Sequence, residues 1–273
     1  MERIKRSERL GAMAAALMAS PNKIHTLGTF CEMFGAAKST VSEDIEILRA
    51  SFEAFDQGEL TTVAGAAGGV RYRATVSPER MRVFLEKLSE RLSDAGRLLP
   101  GGFLYTSDVS SEPETAEMLG RILAMQYYDR APDFVLTMET KGIPIAMMTA
   151  RTLGVPLVIA RRDSRAYEGS AVKINYIAGG NGERIETMAL ARRAVTLGQK
   201  ALIIDDFMKG GGTLRGMVDM MAEFQAEVVG VGVVIATAQP EKKRVAGAKS
   251  LMVLTEVDAQ MGRVVVEPSE LFR

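Results

Sequence analysis

The chain has 273 residues, 47% of them hydrophobic and 25% charged, with 34 basic and 34 acidic side chains. That length suits one large domain or two modest ones, and the even charge balance gives no global argument for nucleic acid or an acidic partner. A lone cysteine (Cys31) excludes an internal disulfide, a lone histidine (His25) excludes a histidine dyad or multi-histidine metal site, and no apolar run approaches the ~18 residues of a membrane span. The opening "MERIKRSERLGAMAAALMAS" mixes acids among its bases and repeats its apolar residues at helical spacing, unlike a signal peptide, so a cytoplasmic chain is expected.

Residues 3–20 place Leu10, Met13, Ala14 and Leu17 on one helical face, and Pro21 ends that helix. "TLGTFCEMF" predicts a short second helix, followed by a turn at Gly35. "AAKSTVSEDIEILRASFEAF" predicts a third, with Val41, Ile45, Leu48 and Phe52 on its buried face. Ser39 or Thr40 is expected to cap it, and Thr40 to Glu43 matches a capping box. "GELTTV" and "GVRYRATV" read as strands joined through the glycines of "AGAAGG".

Three helices and a hairpin within residues 1–76 read as a winged helix-turn-helix that binds DNA. Lys38, Ser39, Thr40 and Ser42, at the start of the third helix, are expected to reach phosphates and base edges. Arg71 and Arg73 alternate on the second hairpin strand and face one way, while Arg3, Lys5 and Arg6 add phosphate contacts. Glu43, Asp44, Glu46 and Glu53 are expected to point away from DNA. Residues 1–74 carry nine basic and nine acidic side chains, so a protein-docking module is the competing reading.

Residues 77–273 form the second expected domain. It opens on a helix over residues 78–95 that joins two domains or pairs two subunits. After "LPGGF" the strand candidates are "FLYTSDV", "DFVLTME", "PLVIAR", "ALIID", "VVGVGVVIATA" and "SLMVLTEV". Helix candidates begin near Glu112, Ile143, Glu183, Thr213 and Pro240. Such alternation predicts an α/β domain with a mostly parallel sheet flanked by helices, binding its ligand beyond the carboxyl ends of the strands.

"LIIDDFMKGGGT", residues 202–213, stands at such an end. It is no Walker loop, because Lys209 precedes the glycines, and its glycines do not give a dinucleotide fingerprint. A sugar phosphate explains both halves. Gly210, Gly211 and Gly212 let backbone N–H groups converge on a phosphate, and Thr213 opens a helix whose N-terminus favours an anion. Asp205 and Asp206 are then placed to accept hydrogen bonds from ribose hydroxyls.

Leu202 to Leu214 resembles the phosphoribosyl pyrophosphate (PRPP) loop of type I phosphoribosyltransferases, with Phe207 and Met208 in place of the usual small aliphatics. "VLTMETKGIPIA" resembles that family's pyrophosphate loop, with Glu139, Thr140, Lys141 and Gly142 at the turn. "RRDSRAYEGSAVKINYIAGG" sits where the family has its flexible loop, and there Arg161, Arg162, Arg165 and Lys173 are placed to close over pyrophosphate. Tyr105 is placed near the base or ribose end. Lys209 and Gly210 stand where the enzymes carry small hydroxyl residues, which speaks against catalysis.

With the helix-turn-helix in front, the chain resembles the purine operon repressors of Gram-positive bacteria over essentially its whole length, including the Asp-Asp-Phe-Met-Lys run. The resemblance implies a homodimer on double-stranded DNA with inverted boxes upstream of purine genes. It implies PRPP as the effector that lowers DNA affinity, with guanosine tetraphosphate-type alarmones competing for the pocket and no transferase activity. A pyrophosphate ligand usually brings a divalent ion, so Mg²⁺ is expected with PRPP and no protein-held metal site. The alternative is an active purine phosphoribosyltransferase with an appended N-terminal module.

Overall fold

A computed structural model describes residues 4–65, 68–164, 169–178 and 184–272. Arg3, Arg165 and Glu183 lie outside the described residues. The chain divides into two compact units, one of residues 1–77 with 151–154, the other of residues 78–150 with 155–273.

In the first unit, helices α1 (Arg6–Ala19), α2 (Leu27–Phe34) and α3 (Lys38–Ala54) surround one core. Met13, Leu17, Phe30, Val41 and Ile45 meet there, spaced along each helix as the 3.6-residue period requires. Thr26 caps α2 by accepting from the Thr29 N–H at 3.2 Å, and Gly35 ends it in the left-handed conformation. For α3 the expected cap is not found. Its N-cap is Ala37, with no side-chain hydrogen bond, and Ser39 and Thr40 already lie inside the first turn. The helix is held by burial instead of by its cap. A short strand β1 (Ile24–His25), too brief to read from sequence, pairs with β3 (Gly69–Arg73), which pairs with β2 (Glu59–Val63).

The second unit begins with α4 (Pro78–Leu92), then a small hairpin of β4 (Leu98–Leu99) and β5 (Phe103–Leu104). Gly101 and Gly102 turn that hairpin with φ of +85° and +73°. The strand expected over residues 103–109 therefore stops at Leu104, and Ser107–Ser111 forms a short helix, α5. Then follow α6 (Pro113–Met125), β6 (Phe134–Met138), α7 (Ile143–Leu153), β7 (Leu157–Ala160), β8 (Ala171–Ala178) and β9 (Arg184–Ala191). The chain ends with β10 (Lys200–Met208), α8 (Gly212–Glu223), β11 (Glu227–Thr237), β12 (Lys249–Asp258) and β13 (Arg263–Pro268).

The main sheet has six strands in the order β13-β12-β11-β10-β6-β7, all parallel except the antiparallel edge strand β13. Alternation along β10 serves both faces. Leu202 and Ile204 pack toward α6, where Gly230 and Gly232 leave room for the Tyr127 ring. Ala201 and Ile203 join the opposite core with Met217, Met220 and Met221 of α8.

Two expected helices are absent. "RIETMALA" has helix-forming composition, yet it pairs with β8 as β9, with Tyr176 opposite Glu186 and Ile174 opposite Met188. Tertiary pairing overrides propensity there. Beyond Pro240 the chain stays irregular to residue 248, because its polar groups bond to the turn after β10. Within the region read as a flexible loop, residues 171–178 form β8, which puts Lys173 on a strand.

Asp108 ties the start of the unit together. It receives both Arg97 amino groups at 2.8 Å and Arg91 at 2.9 Å, and Arg91 also reaches Glu112 at 2.6 Å. Hydrogen bonding from Arg97 holds the Asp108 carboxyl well below its ordinary value. A carboxyl depressed on folding stabilises the fold above its unfolded value near 4 and loses that contribution as pH falls through the lower folded value. Asp108→Asn is thus expected to lower the thermal midpoint at neutral pH by roughly 3–10 °C. Thermal scans across pH must show the gap narrowing only below about pH 4.

Candidate functional site

Two adjacent aspartates stand in the last part of β10. Asp205 is buried, and its Oδ1 accepts from the Asp206 N–H at 3.0 Å. Asp205 lies beneath the turn after β6, where a Cβ on Gly142 would stand 2.5 Å from its Oδ1 and 2.7 Å from the Thr137 hydroxyl. Gly142 is thus required by close approach. The Glu139–Thr140 peptide in this turn is cis.

Burial raises the Asp205 carboxyl well above its ordinary range, and the adjacent Asp206 charge adds to the effect. Asp206 is raised as well, first by burial, with Lys141 and its own hydrogen bonds pulling the other way. Two desolvated carboxylates this close favour ligands that bring hydroxyl donors or positive charge. Among the described residues, no group of three or more His, Cys, Asp and Glu side chains is placed to hold a metal ion. A divalent ion at this pair would need further ligands from the bound molecule.

Asp206, Phe207, Lys209 and Lys141 line one cavity of about 630 Å³. Phe103, Leu104 and Thr106 supply one wall, Leu254 to Val257 another, and Thr237 and Gln239 stand beside Lys209. Its size and mixed lining suit a small polar ligand with one flat apolar part.

Of the residues expected around PRPP, the structure brings Lys141, Asp206, Phe207 and Lys209 to the cavity. Asp205 and Gly142 lie directly beneath it as packing partners, and Thr140 is exposed on the turn. Met208 departs from expectation, because its side chain is buried in the core with Met217 and Leu214. Tyr105 is 42% exposed and lies outside the lining, whose aromatic member on that hairpin is Phe103. Arg161 and Arg162 border the pyrophosphate-type turn through Glu139, which accepts from the Arg162 N–H at 2.8 Å and pairs with the Arg161 guanidinium at 3.4 Å. Lys173 meets Asp163 at 3.5 Å, away from the cavity lining.

Gly210, Gly211 and Gly212 form the turn into α8, with Gly211 at φ +80° as its N-cap. Backbone N–H groups at this helix start suit a phosphate. The Thr213 hydroxyl is otherwise engaged: it donates to the Tyr176 oxygen, and Tyr176 donates to Glu186 at 2.9 Å. Burial pushes that tyrosine up to about 12. β8 crosses α8 so closely that a Cβ on Gly212 would lie 2.1 Å from the Ile177 carbonyl oxygen.

In the first unit, a groove of about 610 Å³ runs between α3 and the β2–β3 hairpin. Lys38 and Ser42 line it with Thr26, Gly28, Thr62 and Gly69. Ser39 is exposed and Thr40 half-buried on the same first turn. Glu46 also lines the groove, against the expectation that it points away. Asp44 is fully buried, where Arg9 meets it at 2.7 Å and Arg6 at 3.2 Å, and Arg6 also reaches Glu43 at 2.8 Å. Arg6 is therefore engaged by α3. Lys5 is the N-cap of α1, its N–H bonded to Glu8. Arg71 and Arg73 are half-buried on one face of β3, opposite buried Val70 and Tyr72. Arg49, missed from sequence because two of its partners lie on another element, donates to the Leu60 carbonyl and to Thr62.

Residues 5–74 match the family described as bacterial purine repressor, N-terminal, and residues 111–269 match the phosphoribosyl transferase domain. A protein of Streptococcus pneumoniae named as a probable purine biosynthesis transcriptional regulator is 40% identical over 99% of this chain and 98% of its own length. A purine biosynthesis transcriptional repressor of Bacillus subtilis is 37% identical over 99% of this chain and 95% of its own. A relative in Lactococcus lactis, 35% identical over 98% of this chain and 99% of its own, is named an activator. Among solved structures, the adenine phosphoribosyltransferase of Giardia lamblia superposes with a TM-score of 0.55 at 18% identity, over 67% of this chain and all of that one, and so shares the fold.

The close passage of β8 makes one position diagnostic. Gly212→Ala places its methyl against backbone, which cannot rotate away, and is expected to cost about 1–3 kcal/mol. Denaturant unfolding midpoints of the two proteins measure that cost.

Proposed function

The chain belongs to the bacterial purine repressor family, and from that membership we propose that it is a transcriptional repressor of purine biosynthesis genes. It binds DNA through its first unit and uses the cavity at the end of β10 as a sensor for PRPP. The observation that carries the sensor reading is the acid pair and the glycine turn at one strand end, with Asp206, Lys141 and Lys209 sharing a cavity. Asp206 is placed for ribose hydroxyls, the N–H groups of the turn into α8 for the 5′-phosphate, and Lys141 for pyrophosphate, which brings Mg²⁺ with it.

DNA affinity falls as PRPP binds, because the ligand and DNA favour different arrangements of a homodimer on inverted boxes. By linkage DNA weakens PRPP by the same factor. Guanosine tetraphosphate-type alarmones, which also carry diphosphates on a ribose, compete for the same cavity. Lys209 and Gly210 in place of hydroxyl residues support a pocket that binds without catalysing transfer.

The test is a mobility shift of the full-length protein. Its probe is a purine operon control region, beside an unrelated duplex at the same salt. Specific retention that weakens about 5- to 150-fold with PRPP and Mg²⁺ is expected. Asp206→Asn is expected to keep DNA binding and lose the PRPP response. Absence of specific retention, together with turnover of PRPP and a purine base, would replace this reading with an active phosphoribosyltransferase. That alternative rests on the domain match over residues 111–269.

A further inference from the structure

We infer that Lys243 is a positioning residue for the phosphate-binding turn, setting the direction of its backbone N–H groups from outside the cavity. The inference rests on the sugar-phosphate reading of that turn. Lys243 Nζ donates to the Lys209 carbonyl at 2.7 Å, to the Thr237 carbonyl at 2.7 Å and to the Thr237 hydroxyl oxygen at 3.1 Å. The next residue completes the grip, since the Arg244 N–H donates to the Gly210 carbonyl at 2.9 Å.

A trans peptide is planar, with its C=O and N–H pointing in opposite directions. The Lys209 carbonyl shares a plane with the Gly210 N–H, and the Gly210 carbonyl shares one with the Gly211 N–H. Neither bond is cis. Holding both carbonyls toward residues 243 and 244 therefore holds both N–H groups toward the opposite side. Glycines alone leave those planes free to turn, so the turn needs an external clamp. A charged donor on a carbonyl is stronger than a neutral one, and the ammonium also adds positive charge behind the phosphate.

The test uses the full-length protein and titration calorimetry with two ligands, ribose 5-phosphate for the phosphate end and PRPP with Mg²⁺ for the whole site. Lys243→Met is expected to weaken ribose 5-phosphate about tenfold or more. Lys243→Arg, which keeps charge and donors, is expected to restore most of that affinity. Lys141→Ala is expected to weaken PRPP while sparing ribose 5-phosphate. DNA retention without ligand stays unchanged in the Lys243 variants, which separates positioning from general damage. If Lys243→Met does not fold, Lys243→Gln is read against Lys243→Arg in its place. Equal ribose 5-phosphate affinity in wild type and the uncharged variant overturns the inference alone. Failure of the wild-type chain to bind either ligand overturns the sugar-phosphate reading and the inference with it.

Discussion

Two neighbouring carboxylates withdrawn from water at the end of the central strand set the terms for the second unit. Desolvation raises both Asp205 and Asp206, and the Asp206 charge raises Asp205 further. The surroundings answer only in part. The Asp206 N–H satisfies one oxygen of Asp205, and Lys141 draws Asp206 toward its charged form. The sheet order puts this pair on β10, between β11 and β6, with Asp205 paired to Val233 of β11. The turn after β6 then closes over Asp205 so tightly that only glycine fits at 142. A site so arranged is poised for a ligand that brings hydroxyls and cations, because those are the groups it lacks.

Much of this is legible in the chain itself. The apolar run into Asp205 and Asp206, followed by three glycines, fixes a strand, a turn and a helix start by local rules alone. The periodicity of α3 and the glycine-joined hairpin give the first unit in the same way. What stays hidden depends on partners distant in sequence. "RIETMALA" looks helical until β8 is known to lie beside it. Lys243 sits where a helix is expected from Pro240, and its acceptors are 34 and 6 residues away. The two aspartates look equivalent in sequence, yet strand alternation sends Asp206 to the cavity and Asp205 beneath a turn. Met208 lies in the core with Ala201 and Ile203 although it shares the parity of Asp206, so simple alternation does not give its place.

In the proposed sensor, the phosphate end of the site is built from backbone. Thr213 directs its hydroxyl to Tyr176, and Gly212 faces the Ile177 carbonyl, so the side chains there serve the packing of β8 on α8. Recognition by N–H groups depends on the path of the chain and little on the identity of exposed side chains. The side chains that line the cavity beside it are Asp206, Lys141, Phe103 and Phe207.

The ion pairs of the first unit bear on how this protein meets a long polyanion. Arg6 and Arg9 are held by Asp44 and Glu43, and Arg49 by Glu46. Non-specific attraction to a duplex grows with each cation that neutralises a phosphate and releases a condensed counterion. A guanidinium already neutralised by its own fold releases few. The ion-paired arginines therefore add little to non-specific attraction along a duplex. Weaker attraction of this kind leaves the passage along unrelated duplex less delayed.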